Sequence, residues 1–245
     1  MFPFYERRIM ESKNIITDNS SEKNSSVTNL KKITGMAMFT ALAVVATLVT
    51  KWAQVMFLTF DAKDSIITIA AFVYGPLPGI VMSFLTSLIE TLTFGGDTGW
   101  YGFLMNFLSS AIFSFTASFI YLKKRTINGA IIGLYSATAA TTIAMLLLNM
   151  FVTPLYFGLP ILDPYVMGLL PTLLLPFNFA KALMNSAIVA FLYKPLARAL
   201  KKAKLASGGA SSLKFNKNSV AILISGGVGV VISIAIFAWL LISLT

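Results

Sequence analysis

The sequence predicts an all-α membrane protein: a bundle of six transmembrane helices followed by a seventh, C-terminal transmembrane segment. Three observations carry that expectation. The 245 residues are 57% hydrophobic and 11% charged, where a soluble domain carries roughly 25% charged residues, and the mean hydropathy is +0.81. Apolar runs recur at about 20 residues, the length that crosses a hydrocarbon core of about 30 Å. All but one of the 19 Lys and Arg residues gather between or beside those runs instead of spreading along the chain.

Taken in order, the runs place helices near 34–50, 64–76, 79–94, 102–122, 127–150, 172–194 and 219–244. Ahead of them, residues 1–32 are polar and Ser/Asn-rich ("TDNSSEKNSSVTNLKK"). They lack the apolar core of a cleavable signal peptide and read as a loosely held cytoplasmic tail. The first span, "TGMAMFTALAVVATL", sets Ala37 and Ala41 on one face, with Thr34 one turn earlier and Val45 one turn later. Small residues at that spacing let another helix approach closely. The neighbour is either a helix of this chain or one of a partner.

The loop "FLTFDAKDSII" puts Asp61, Lys63 and Asp64 on the outer side. Asp64, just before an apolar helix, is placed to cap its first turn; alternatively the loop, with Phe57, Leu58 and Phe60, forms a lid over an outer pocket. Residues 64–76 are too few to span alone, and "GPLPG" at 75–79 forces a turn. Residues 64–94 therefore read as two helices joined tightly, the first beginning inside the bundle. Glu90, in "SFLTSLIETLTFGGDTGW", is the sole acid inside a predicted span. It lies about one turn from the outer end and either snorkels outward or joins a ligand or structural network. Asn106, early in the next helix, caps or cross-links, and Asn149 ends the fifth in "AMLLLNMFVTPLYFG".

"LPFNFAKALMNSAIVAFLYKP" carries a lysine within a span. Asn178 and Lys181 are three apart and share a helix face, which Asn185 continues. An intramembrane charge costs about 2.5–3.5 kcal/mol on insertion scales, so such residues face an interior or a cavity. Two roles are open to Lys181: pairing internally with Glu90, or donating to a polar ligand. Asparagine amides suit the second role, offering donor and acceptor to a heterocyclic edge, and Trp100, Tyr101, Tyr156, Phe157 and Phe177 are available to cover a planar ring. Beyond this helix, residues 203–218 ("AKLASGGASSLKFNKN") read as a flexible linker. The segment 219–245, with Gly226, Gly227 and Gly229 close together, reads as an appended anchor.

The charges orient the chain. Arg7, Arg8, Lys13, Lys23, Lys31 and Lys32, then Lys123, Lys124 and Arg125, then the seven basic residues from Lys194 to Lys217 fall on one side if every run crosses. Lys51 and Lys63 fall on the other. That asymmetry predicts a cytoplasmic N-terminus in a multi-pass cell-membrane protein, and it makes the basic balance a topology signal instead of a nucleic-acid footprint. Cysteine and histidine are both absent, which removes thiol nucleophiles, histidine bases and the usual transition-metal ligands. Metal sites and enzyme chemistry are not expected.

Residues 33–204 resemble the substrate-binding S component of energy-coupling factor (ECF) transporters, most closely its riboflavin-binding branch. The matching stretches are Ala37-x-x-x-Ala41, "DAKDSIITIAAFVYGPLPGIV", "GGDTGWYGFLMNF", "LLNMFVTPLY" and, most specific, "LPFNFAKALMNSAIVAFLYKPL". "DAKDSI" departs from the pattern in lacking a proline shortly after the loop aspartate, and the seventh segment lies outside it. The resemblance implies a six-helix domain over 33–202 that captures a vitamin from outside and works with a transmembrane coupling subunit and two cytoplasmic ATPases. It implies that Asn149, Asn178 and Lys181 hydrogen-bond the vitamin, that the first outer loop closes the site, and that Ala37 and Ala41 meet the coupling subunit. Asp64, Glu90 and Asn106 complete the expected substrate-binding set, riboflavin being transported ligand and no cofactor being expected. No G-x-x-x-x-G-K-[ST] sequence occurs, in keeping with ATP being hydrolysed by another subunit. The competing readings are the same module for folate, pantothenate or a queuosine precursor, or an unrelated membrane enzyme.

Overall fold

Long apolar stretches in lipid must satisfy their own backbone groups, and a helix does so within one segment. The chain obeys this almost throughout. A computed structural model describes residues 29–51, 54–94, 98–202 and 217–244. Helix α1 spans Asn29–Thr50, and a short antiparallel hairpin follows, β1 (Gln54–Val55) paired with β2 (Leu58–Thr59), Gln54 opposite Thr59. Next come α2 (Lys63–Tyr74), α3 (Pro76–Phe94), α4 (Gly99–Lys123) and α5 (Ile127–Tyr156). A short α6 (Pro164–Leu169) runs through a π-helical turn at Leu170–Leu174 into α7 (Leu175–Lys202), and α8 (Lys217–Leu244) closes the order. Of the expected tail over 1–32 and linker over 203–218, residues 1–28 and 203–216 lie outside the described residues, and 29–32 and 217–218 are helical.

Among the described residues, five helical runs are long and apolar enough to cross a membrane: α1, α3, α4, α5 and the continuous Pro164–Leu192 run. Helix α2, at 12 residues, reaches about 18 Å at 1.5 Å per residue and falls short of a bilayer core. Its N-terminus lies inside the bundle, as the sequence suggested.

Several boundaries differ from expectation. The break at 75–79 needs one residue, Gly75, whose φ of 107° is accessible to glycine without steric cost. Pro76 then opens α3, where its missing N–H has no intrahelical partner to lose. Helix α5 does not stop at 150 but continues through Pro154 to Tyr156. The sixth span does not start at 172 but at Pro164, where the Asp163 side chain accepts from the Tyr165 N–H at 2.9 Å. The π turn contains Pro171, which cannot donate to the ladder and so favours the wider winding.

Close helix approach rests on small residues. At Gly133 of α5 a Cβ would lie 2.7 Å from the Ala117 carbonyl oxygen of α4, so these two backbones touch. Phe39, Ile67, Ile69, Phe72 and Phe113 form the apolar centre. On α1, Phe39, Ala43 and Thr47 face that centre, whereas Ala37 and Ala41 are exposed. The small-residue stripe of α1 is thus not packed within this chain.

Candidate functional site

Helix α4 begins, α5 ends, α3 ends and α1 ends at the same end of the bundle, because successive helices run antiparallel through short connections. The residues that gather there line a cavity of about 430 Å³. The basic turn Lys123–Arg125 joins α4 to α5 at the opposite end, about 37 Å away along the 25 residues of α4.

Five of the six residues expected to bind substrate line this cavity: Glu90, Asn106, Asn149, Asn178 and Lys181. Asp64 does not. It is 3% exposed in the first turn of α2 and accepts a hydrogen bond from the Ser110 hydroxyl. Nor does it cap the helix: Ala62 holds the N-cap position, without a side-chain bond. Asn185 lies behind the cavity wall, fully buried. Its amide donates to the Asp61 carbonyl at 3.2 Å and to the Lys181 carbonyl at 3.1 Å, and it accepts from the Ser65 hydroxyl. It fastens the loop before α2 to α7.

Lys181 does not pair with Glu90. Its Nζ donates to Asp61 Oδ2 at 2.8 Å. Lys63, expected in an outer loop, is fully buried; its Nζ lies 3.7 Å from the same Asp61 oxygen and donates to Glu90 Oε2. Asn106 donates to the other Glu90 oxygen at 3.2 Å, so this amide cross-links α4 to α3 and does not cap. The result is one chain of contacts, Lys181–Asp61–Lys63–Glu90–Asn106, joining α7, the loop, α2, α3 and α4. Burial alone would raise the Asp61 carboxyl; the charges of Lys181 and Lys63 outweigh that and hold it below the usual carboxylate range. Sequence reasoning missed Asp61 and Lys63. The usable signal was the shortness of α2: charges flanking a helix that begins inside the bundle are themselves inside.

The remaining walls set amides against rings. Asn149 donates to the Met145 carbonyl at 2.6 Å and accepts from Thr153 at 2.7 Å, which fixes the amide's orientation. Asn178 donates to the Leu174 carbonyl at 2.7 Å, filling an acceptor at the end of the π turn. Phe57, Tyr101, Tyr156 and Phe177 supply aromatic surface. Phe157 stands behind them, edge-on to Phe57 at 5.2 Å, and Trp100 is 68% exposed and does not reach the cavity. Among the described residues no group of three His, Cys, Asp or Glu could hold a metal.

Lysine, asparagine and aromatic side chains thus line one cavity, the mixture of a few polar groups and apolar surface common in small-molecule sites. A family model described as the substrate-specific component of ECF transporters matches residues 31–193. The chain belongs to that family. The riboflavin transporter RibU of Staphylococcus aureus (strain TCH60) is 33% identical over 178 residues, 70% of this chain and 93% of that protein. The riboflavin transporter FmnP of Bacillus subtilis (strain 168) is 27% identical over 143 residues, 56% of this chain and 75% of that one. A solved structure described as the S component of a bacterial ECF transporter superposes with a TM-score of 0.59 at 34% identity, covering 71% of this chain and 99% of that one. The family match ends at residue 193, so α8 of this ECF component lies beyond it.

Removing one partner of a buried ion pair costs about 3–5 kcal/mol. Asp61→Asn leaves two buried ammonium groups facing one carboxylate and should lower stability by about that amount in thermal melting of the purified protein. Asp64→Asn keeps its acceptor for Ser110 and should cost less than half as much. Equal losses would show that Asp61 does not balance both lysines.

Proposed function

We propose that this chain captures riboflavin as the substrate-binding subunit of an ATP-driven ECF importer and is not itself an enzyme. The carrying observation is the cavity itself: Lys181, Asn178 and Asn149 line it together with Tyr101, Tyr156, Phe57 and Phe177. Isoalloxazine is a planar heterocycle edged with acceptors and donors, which amides and an ammonium satisfy and rings cover. The likeness to named riboflavin transporters supports the same choice. In this reading Lys181 donates to the ligand while Asp61 steadies its charge, Asn149 and Asn178 read the polar edge, and Glu90 and Asn106 contact the ribityl side. The hairpin loop over 54–62 closes the mouth.

The subunit delivers its ligand together with a transmembrane coupling subunit and two cytoplasmic ATPases. Ala37 and Ala41, exposed on α1, present the face that meets the coupling subunit. Helices α1 to α7 form the six-helix substrate-binding unit over 33–202, α6 and α7 counting as one continuous helix, and α8 is a seventh crossing after a cytoplasmic linker. The N-terminal tail is cytoplasmic and the cavity opens outward, in keeping with the basic α4–α5 turn at the far end.

Flavin absorbs and fluoresces, so protein purified from riboflavin-containing cells should carry a yellow chromophore. Hydrogen bonds to charged groups contribute about 1.5–3 kcal/mol, so Lys181→Ala should weaken riboflavin binding roughly 10- to 150-fold at about 1.4 kcal/mol per tenfold. Its fold should survive, since Asp61 keeps Lys63 at 3.7 Å. Unchanged affinity with a clearly lowered melting temperature would refute the binding role.

Because the chain has no cysteine, single cysteines report topology cleanly. A cysteine at Thr98 should label from outside and one at Thr126 from inside; the reverse pattern would invert the orientation. Replacing Ala37 and Ala41 with Trp should abolish uptake into cells while purified protein still binds riboflavin. Uptake at the wild-type rate would remove this face from the coupling interface.

A further inference from the structure

The seventh helix reads in the sequence as an appended anchor, and the family match stops before it. Its packing is that of a working part. Gly226, Gly229, Ser233, Phe237 and Leu240 recur at three- and four-residue spacing and form one stripe along α8. At the start of the stripe, a Cβ on Gly226 would lie 3.2 Å from the Phe191 ring, and one on Gly229 would lie 3.5 Å from Ala187 Cβ. At Gly226 the absent side chain lets α8 lie close along α7, and at Gly229 there is room for little more than a methyl group. Ser233 is buried and satisfies its hydroxyl on the Gly229 carbonyl at 2.8 Å.

The stripe then changes from small to large where it reaches the cavity end. Phe237 stands edge-on to Phe177 at 5.5 Å and to Phe60 at 5.7 Å. Phe177 lines the cavity, and Phe60 immediately precedes Asp61 in the loop that supplies Phe57, Leu58 and Thr59 to the cavity lining. Leu240 is fully buried against Leu173 and Phe177. On the other faces of α8, Val231, Ile234 and Trp239 are exposed, as a lipid-facing surface requires. A plain anchor would have no reason to touch both the cavity wall and its loop.

We propose that α8 clamps the binding site: Phe237 is a positioning residue that holds the Phe177 wall and the Phe57–Asp61 loop in place and so slows departure of the ligand. The kinetic part rests on the riboflavin reading above; the mechanical part does not. Tethering a closing loop acts on the dissociation rate, because the contacts it preserves must break before the ligand leaves.

Two measurements on the purified full chain test this together: amide hydrogen exchange of residues 57–61 without ligand, and stopped-flow riboflavin dissociation followed by flavin fluorescence. Phe237→Ala should speed loop exchange and raise the dissociation rate about tenfold, with the association rate changed by less than about twofold, since two edge-on ring contacts are lost. Phe237→Tyr should restore both, and Ile234→Ala, on the lipid-facing side, should change neither. Gly229→Leu, which pushes α8 off Ala187 far from the cavity, should act like Phe237→Ala and stands in for it if that variant does not fold. Faster loop exchange in a protein that takes up no riboflavin refutes the substrate and upholds the clamp. Loop exchange and dissociation equal to wild type in a folded Phe237→Ala or Gly229→Leu variant overturn it.

Discussion

Asp61 offers one oxygen to two buried lysines, 2.8 Å from Lys181 and 3.7 Å from Lys63, and the cavity end of the bundle is arranged around that sharing. An ammonium or a carboxylate out of water is expensive unless paired and hydrogen-bonded. Here each charge is compensated by a neighbour on a different element, so a network that cancels charge also fixes geometry. Asp61 sits in the loop, Lys63 at the head of α2, Glu90 on α3 and Lys181 on α7. Moving any one of these elements would strand a charge on another. Asn185 and Ser65 reinforce the same joint with neutral bonds.

The network also explains why a helix as short as α2 is stable inside the membrane. Its first-turn groups would be costly in lipid, yet they meet Asp61, Asp64 and Ser110 instead. The loop before it is therefore anchored at its Asp61 end. The turn at Met56, which has a φ of 53°, is where a non-glycine residue adopts the left-handed conformation, and Met56 belongs to the cavity lining. This stretch is thus held by charges at Asp61 and by ring contacts at Phe57 and Phe60.

Much of the fold could be read from hydropathy alone, because apolar length leaves a helix little alternative in lipid. The ends of those helices could not, since proline inside a membrane helix is tolerated when neighbours re-satisfy the freed groups: the helices expected over 127–150 and 172–194 extend to include Pro154 and Pro171. Lys181, Glu90, Asn106, Asn149 and Asn178 stood out as polar residues inside apolar runs, and all five line the cavity. Asp61 and Lys63 did not, because residues flanking an apolar run look solvated unless the run is seen to be too short to reach solvent. Asp64 was misread for the same reason. Partner choice was a further blind spot: Lys181 and Glu90 are the two intramembrane charges of the linear reading, and pairing them was natural until the loop supplied a second acid and a second base. The inward stripe of α8 was written in its spacing, but which helix it would meet was not.

Charges held by one another rather than by the ligand have a consequence for recognition. On the proposed assignment, a lysine already paired and amides already oriented need little rearrangement when a ligand arrives, so less of the interaction energy goes into ordering side chains. The cost of desolvating those groups falls on folding instead, where a large bundle can bear it. This division suits a scaffold in which small residues bring α4 and α5 into backbone contact at Gly133 far from the cavity. The packed end supplies stability that does not depend on what is bound, and the charged end is left free to be specific.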